Sequence, residues 1–298
     1  MTGVAPEPQA HGGDGARLAA ALGVDLGAVL DLSASLNPVA PDAGEVVSKH
    51  LDAIGRYPDP SAATAALAAA LGVDDDRVLL TNGGAEAIAL VAGELGGRVH
   101  EPEFSLYPRG SGPRWRSNPH NPTGRLAADG DRAGVWDEAF WPLATGTWTR
   151  GDADRGAVVV GSLTKLLACP GLRVGYVLAG GALIASLGRR QPAWSVNGLA
   201  AGALADLLAT VDLPAWSAEV ARLRRALVTL LQTHGLHPEP SDANYVLVPG
   251  ARGLRDRLAG QGVLVRDCAT FGLAGHVRVA VPDDAGLSRL ADALERSR

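Results

Sequence analysis

Lysine is almost missing from this chain of 298 residues. Only Lys49 and Lys165 carry an amine, and the other 25 of its 27 basic residues are arginines. Guanidinium stays charged at any ordinary pH, so arginine cannot replace an amine that must deprotonate and form a covalent imine. A lysine kept against such a bias is a candidate for that chemistry, although Lys49 also reads as an ordinary surface residue. Cysteine is as scarce. Cys169 and Cys268 cannot build a disulfide framework or supply a four-ligand zinc site by themselves, so no metal centre is expected. No basic stripe is present: 27 basic and 32 acidic residues are interspersed at a formal charge of −5, which argues against a nucleic-acid partner. Long apolar runs are absent too, and the most apolar stretch, Thr64 to Val73, is too short to span a bilayer. Met1 to His11 lacks a basic region followed by an apolar one, so no secretory leader is expected. The expectation is a soluble, cytoplasmic protein without a membrane partner.

What is present suits a folded α/β protein. Hydrophobic residues make up 47% of the chain against 20% charged, enough for one large core or two modest ones. The 38 glycines and 19 prolines are scattered through apolar sequence rather than gathered into a linker. Helical spacing is read over Ala16 to Leu22, Ala43 to Ile54, Ser61 to Leu71, Ala85 to Leu95, Ala182 to Arg190, Gly198 to Ala209, Ala215 to Thr233, Leu254 to Ala259 and Ala285 to Arg296. Short apolar or β-branched runs read as strands at Arg77 to Thr81, Ala157 to Val160, Leu172 to Leu178, Tyr245 to Val248, Val263 to Arg266 and Val277 to Val281. Strands and helices intermix throughout, which predicts an α/β large domain over residues 41–205 and a small α+β domain over 206–298. The boundary is placed near 200–215.

Four local patterns follow one another in a telling order. Asn82-Gly83-Gly84-Ala85-Glu86 joins a strand to a helix, where small residues let backbone N–H groups approach an anion. Asn118-Pro119-His120-Asn121-Pro122-Thr123-Gly124 is a proline-rich turn. Asp137-Glu138-Ala139-Phe140 follows Val135-Trp136, and acids at strand ends sit where α/β proteins bind ligands. Ser162-Leu163-Thr164-Lys165 precedes Pro170-Gly171-Leu172-Arg173-Val174-Gly175-Tyr176.

Together these patterns resemble the fold-type I pyridoxal-phosphate enzymes, the aspartate aminotransferase superfamily, over nearly the whole chain. The resemblance implies pyridoxal 5'-phosphate as cofactor, carried covalently by Lys165. It implies that Asp137 pairs with the pyridine N–H and that Asn121 donates to the ring's 3-oxygen. Ser162, Thr164 and Arg173, with the N–H groups of Gly84 and Ala85, would hold the cofactor phosphate, a dianion suited to arginine and a helix start. Phe104 would stack on the ring. Tyr57 would reach the phosphate from a neighbouring subunit, which implies a homodimer.

Two phosphate-substrate branches look close: histidinol-phosphate aminotransferases and the L-threonine-O-3-phosphate decarboxylases of cobalamin biosynthesis. His11-Gly12-Gly13, Asp31 to Pro38, Pro192 to Asn197 and the segments bearing Arg266 and Arg278 are similar to the decarboxylases. Phe140 stands where aminotransferases usually carry a tyrosine. The resemblance implies decarboxylation of L-threonine O-3-phosphate to (R)-1-aminopropan-2-yl phosphate. The substrate, a small phosphorylated amino acid, would be held by His11, Gly12, Ser35, Asn121, Arg266 and Arg278, with the N-terminal segment 1–40 completing the site. A histidinol-phosphate-type aminotransferase, or a cofactor-free binding protein on the same fold, is the alternative. The chain also departs from the family. Phe104 and Asn121 are only 17 residues apart, where a helix and a strand are expected and such a unit needs roughly 30. Core secondary structure is therefore expected to be missing between 105 and 160. Ser35 also stands where the decarboxylases often have asparagine.

Overall fold

The computed structural model describes residues 11–297; the first ten residues of the N-terminal segment and Arg298 lie outside them. In chain order the first elements are α1 (Gly15–Leu22), β1 (Leu30–Leu32), α2 (Ala43–Val47), α3 (Ser61–Leu71), β2 (Val78–Asn82) and α4 (Gly83–Leu95). Next come β3 (Trp115–Ser117), β4 (Val135–Asp137), α5 (Trp141–Thr145), β5 (Val158–Ser162), α6 (Leu163–Leu166) and β6 (Val174–Leu178). The chain then runs through α7 (Gly181–Arg190), α8 (Gly198–Ala209), α9 (Leu213–Thr233), β7 (Tyr245–Val248), α10 (Leu254–Ala259), β8 (Val263–Asp267), β9 (Val277–Ala280) and α11 (Asp284–Arg296).

Among the described residues these strands form two sheets. The larger has the order β2-β6-β5-β4-β3, with β3, β4 and β5 parallel and β6 antiparallel to both β2 and β5. The smaller has the order β1-β8-β9-β7. In β5, Val158 and Val160 pack into one core while Val159 faces the other, and in β6 Val177 opposes Val174, Tyr176 and Leu178 in the same way. Side chains alternate across a strand, so a sheet covered on both faces needs apolar residues at every position. That is why these runs are continuous rather than alternating.

One helix ties the two sheets together. The buried stripe of α9 is Leu213, Trp216, Val220, Leu223, Leu227 and Leu231, at the three- and four-residue steps of one helical face. Leu213, Trp216 and Val220 pack with the large sheet, whereas Leu223, Leu227 and Leu231 pack with the small one. The changeover of cores therefore falls inside α9, beyond the expected 200–215. Asp212 caps this helix by accepting from the Ala215 N–H at 3.0 Å. Strand β1 belongs to the small sheet, parallel to β8 with Leu30 opposite Val263. Among the described residues no single helix is long and apolar enough to cross a membrane; the bent pair α8 and α9 passes on length and composition only when taken together.

One sequence expectation needs correction, and another takes concrete shape. The helix read over Ala43 to Ile54 stops at Val47 and continues as a 3-10 segment, Ser48–Gly55, interrupted by non-helical backbone at His50. His50 Nε2 lies 2.9 Å from Asp206 on α8, and Gly198 and Gly202 of α8 admit Ala53 and His50 at close range. Packing on α8 overrides local helical spacing there. The thinning expected between 105 and 160 takes a definite form: β3 and β4 have three residues each, and β3 is the last strand of the sheet. Beyond it only an isolated bridge joins Arg98 to Arg114.

Candidate active site

The parallel strands β3, β4 and β5, and β2 with them, end on one side of the large sheet, where ligands bind in α/β folds. There β2 runs directly into α4, so the N–H groups of Gly84 and Ala85 open a 13-residue helix. Gly83 has φ 76°, and a Cβ on it would sit 2.2 Å from the Arg173 guanidinium, so only glycine lets that cation lie against the helix start. Strand β5 ends at Ser162, whose Oγ lies 2.7 Å from Thr164 Oγ1, and α6 then presents Lys165. These groups line a cavity of about 310 Å³ closed on its far side by Phe104, Asn121, Asp137 and Phe140, and by Arg266 and Arg278 of the small sheet.

Lys165 Nζ donates to the Ala34 carbonyl at 2.9 Å. Burial, then the positive fields of Arg278 and Arg173, pull its amine down to about 8, with Asp31 opposing them. Such an amine can be neutral near physiological pH. Asp137 accepts from Tyr107 Oη at 2.7 Å and from the Ala139 N–H at 2.9 Å; burial raises its carboxyl above the ordinary value while those bonds and Lys165 oppose the shift. Asn121 accepts from Arg278 Nη1 at 2.6 Å through its Oδ1, which leaves its amide N–H₂ as the group able to donate elsewhere. Its own backbone N–H donates to Ser117 Oγ at 2.8 Å. Arg278 stacks over the Tyr245 ring at 4.6 Å, and Phe140 meets the same ring edge-on at 5.0 Å. Burial lowers the Arg266 guanidinium to about 10, with Arg278 adding to the shift. In the register of β8 and β9 the two arginines stand directly opposite one another.

Most of the residues singled out from the sequence meet here: Gly84, Ala85, Phe104, Asn121, Asp137, Ser162, Thr164, Lys165, Arg173, Arg266, Arg278 and His11 line the one cavity. Gly12 sits just behind, where a Cβ would lie 3.3 Å from Arg266 Nη1. Ser35 is not among the lining residues. It is fully buried with φ 49°, and its carbonyl accepts from Asn244 Nδ2 at 2.8 Å. Tyr57 is also away from the cavity; it is 76% exposed and stacks on Trp194 at 4.5 Å. Sequence reasoning missed Tyr107, three residues beyond Phe104, and the buried Glu103, which accepts from Ser117 Oγ at 2.7 Å. Neither has a local signal, because each matters only through a partner on another strand.

Comparison with known proteins names the architecture. The family model "Aminotransferase class I and II" matches residues 115–294. Threonine-phosphate decarboxylase of Salmonella typhimurium is 33% identical, covering 96% of this chain and 95% of that protein. This chain belongs to the aminotransferase class I and II family. Histidinol-phosphate aminotransferase 1 of Dechloromonas aromatica is 27% identical, over 94% and 93% of the two chains. The alignment with the Salmonella protein runs over 353 positions, more than the 298 residues present here, as expected if the relative carries segments that this chain lacks. The solved histidinol-phosphate aminotransferase of Sinorhizobium meliloti, in complex with pyridoxal-5'-phosphate, superposes with a TM-score of 0.80 at 18% identity, covering 94% and 93% of the chains. Pyridoxal 5'-phosphate is the cofactor of this aminotransferase family. The residues present fit it. A helix start, two hydroxyls and a guanidinium suit its phosphate, a buried carboxylate suits its ring nitrogen, and a lysine amine depressed to about 8 suits its aldehyde.

Proposed function

We propose that this pyridoxal-phosphate enzyme decarboxylates L-threonine O-3-phosphate, giving (R)-1-aminopropan-2-yl phosphate and CO2. The observation that carries the reading is the charge balance of the cavity. Lys165, Arg173, Arg266 and Arg278 line it with Asp137 as the one carboxylate among the described lining residues, and Phe140 adds an apolar face where a hydroxyl would serve transamination. With Arg173 at the helix start occupied by the cofactor phosphate, Arg266 and Arg278 are left for a substrate that itself carries two anionic groups.

The residues divide the work. Gly84, Ala85, Ser162, Thr164 and Arg173 bind the cofactor phosphate. Asp137, held by Tyr107, keeps the ring nitrogen protonated, and the N–H₂ of Asn121 donates to the ring oxygen. The bound cofactor supplies an electron sink for the pair released at the substrate carbon. Arg278 would bind the substrate carboxylate and fix its orientation, while Arg266 and His11 would bind the substrate phosphate. Lys165 delivers the proton that takes the place of CO2, a task suited to an amine near 8. Phe104 and Phe140 keep water from the reacting carbon. A second copy of the chain would cover the exposed Leu51, Ile54, Tyr57 and Trp194, and would bring Tyr57 to the cofactor of its neighbour.

Product analysis tests this. The purified holoenzyme, given O-phospho-L-threonine alone, should release CO2 over many turnovers without forming a 2-oxo acid. Turnover that requires 2-oxoglutarate and yields a 2-oxo acid would instead make the chain an aminotransferase, the activity of its 27%-identical relative.

A further inference from the structure

The cavity has a strap, and the strap has a fastening. Residues 11–14 lead from the cavity into α1, with His11 among the lining residues and its ring 5.6 Å from that of Phe104. A carboxylate on β1 holds this short stretch, beside the ion pairs of Asp14 with Arg17 and Arg255. Asp31 Oδ2 accepts from the Gly15 N–H at 2.9 Å, and its Oδ1 accepts both the N–H and the hydroxyl of Ser33, at 2.9 and 2.5 Å. With its proton committed to Asp31, Ser33 Oγ offers a lone pair to the Gly13 N–H at 2.8 Å. One carboxylate thus holds Gly15 directly and Gly13 through a single hydroxyl. The strap lies so close that a Cβ on Gly12 would be 2.7 Å from the Ser33 carbonyl.

The segment that follows β1 also meets the catalytic groups. The Ser33 carbonyl accepts from Arg278 Nη2 at 3.3 Å and the Ala34 carbonyl from Lys165 Nζ at 2.9 Å. Strand β1 sets Asp31 opposite Leu264, two residues before Arg266. Residues 31–34 therefore touch both the strap and the cationic groups of the cavity, and the Ser33 carbonyl meets the two together.

We propose that Asp31 and Ser33 are positioning residues that fasten the strap so that His11 closes over Arg266, and that this closure sets the preference for a phosphorylated over an unphosphorylated amino acid. The proposal rests on the reading of Arg266 and His11 as the phosphate end of the substrate site. A carboxylate that only supported β1 would leave substrate preference alone, whereas a fastener of the strap alters it at the phosphate end.

Two variants of the full-length holoenzyme, Asp31→Asn and the milder Ser33→Ala, test this. The ratio of kcat/KM for O-phospho-L-threonine over that for L-threonine should fall about tenfold or more, the scale of one lost charge-assisted hydrogen bond. In Ser33→Ala the fall should lie in KM for the phosphorylated substrate; Asp31→Asn also removes a charge that acts on Lys165, so it is judged on the ratio, in which an effect on Lys165 common to both substrates cancels. Amide exchange of the peptide holding Gly13 and Gly15 should quicken in both variants, a readout that needs no turnover. An unchanged ratio, a parallel rise of both KM values, or unchanged exchange would overturn the proposal. If the wild type turns over neither amino acid, the substrate reading fails and the fastening is judged on inorganic phosphate alone. Phosphate should then slow exchange at Gly13 and Gly15 in the wild type but not in Ser33→Ala, and failure to do so would overturn the fastening as well.

Discussion

Glu103 shows how much a single residue can owe to its surroundings. Burial pushes its carboxyl up to about 8, with Asp137 adding to the shift and the Ser117 hydrogen bonds and Arg116 opposing it. In the unfolded chain the same group titrates near its ordinary 4.5. Between those two values the folded protein retains a proton that the unfolded chain has released, so this group's contribution to stability is lost as pH rises from 4.5 through about 8. Glu138, raised to about 7 by burial, slopes the same way over a narrower range. Glu103→Gln keeps an acceptor for Ser117 and removes the titration. Denaturant unfolding at pH 5 and pH 8 should show the wild type losing on the order of a few kcal/mol more than the variant across that interval. Equal losses in the two proteins would mean that the Glu103 carboxyl titrates normally. At this scale the sequence is legible where rarity or motif marks a residue. Lys165 stands out because arginine has taken nearly every other basic position, and Asp137 because it ends an apolar strand. Tyr107, Glu103 and Ser117 carry no such mark, since their hydrogen bonds join β3, β4 and the segment before them.

Elements were legible where several residues of one period follow each other without a competing contact, and illegible where they are three residues long. The helix over Ser61–Leu71 and the strand over Tyr245–Val248 have the bounds that their spacing predicts, because several residues of one period reinforce each other. Leu30–Leu32 and Trp115–Ser117 were not read as strands, since three residues give no period to detect. The second of these has the heavier role. Strand β3 ends the large sheet, and its Trp115 is fully buried among Ala87, Val91, Tyr107 and Val135, with its indole N–H donating to the Gly96 carbonyl at 3.0 Å. The segment around Gly96 to Arg98 covers the edge: the Trp115 N–H donates to the Arg98 carbonyl at 2.9 Å, and the Arg98 N–H to Pro113 at 3.0 Å. A large side chain thus plugs the end of a shortened sheet. Trp115→Ala should cost about 3–5 kcal/mol of unfolding free energy. A loss below about 1 kcal/mol in the same measurement would show that this edge does not depend on the indole.

Across the whole molecule, the site is assembled where the two sheets meet. The large sheet contributes a helix start, Asp137 and Lys165, and the small sheet contributes Arg266 and Arg278 together with the β1 exit that carries Asp31 and Ser33. The sequence order of the motifs made the class of the chain legible. It did not make legible that β1 leaves its neighbours in the chain to join β8, because a parallel pairing across more than 200 residues has no local signature. Nor did it show how a shortened sheet keeps its working edge: β3 and β4 are clipped to three residues, yet Asn121 and Asp137 still reach the cavity. If this trimmed fold carries its cofactor on Lys165, the scarcity of lysine makes the test direct. The holoenzyme is reduced with borohydride, digested, and mapped for the pyridoxyl-modified residue. The expected result is modification of Lys165 alone, with the exposed Lys49 untouched and no adduct in Lys165→Ala. An adduct on Lys49, or one that survives in Lys165→Ala, would contradict it.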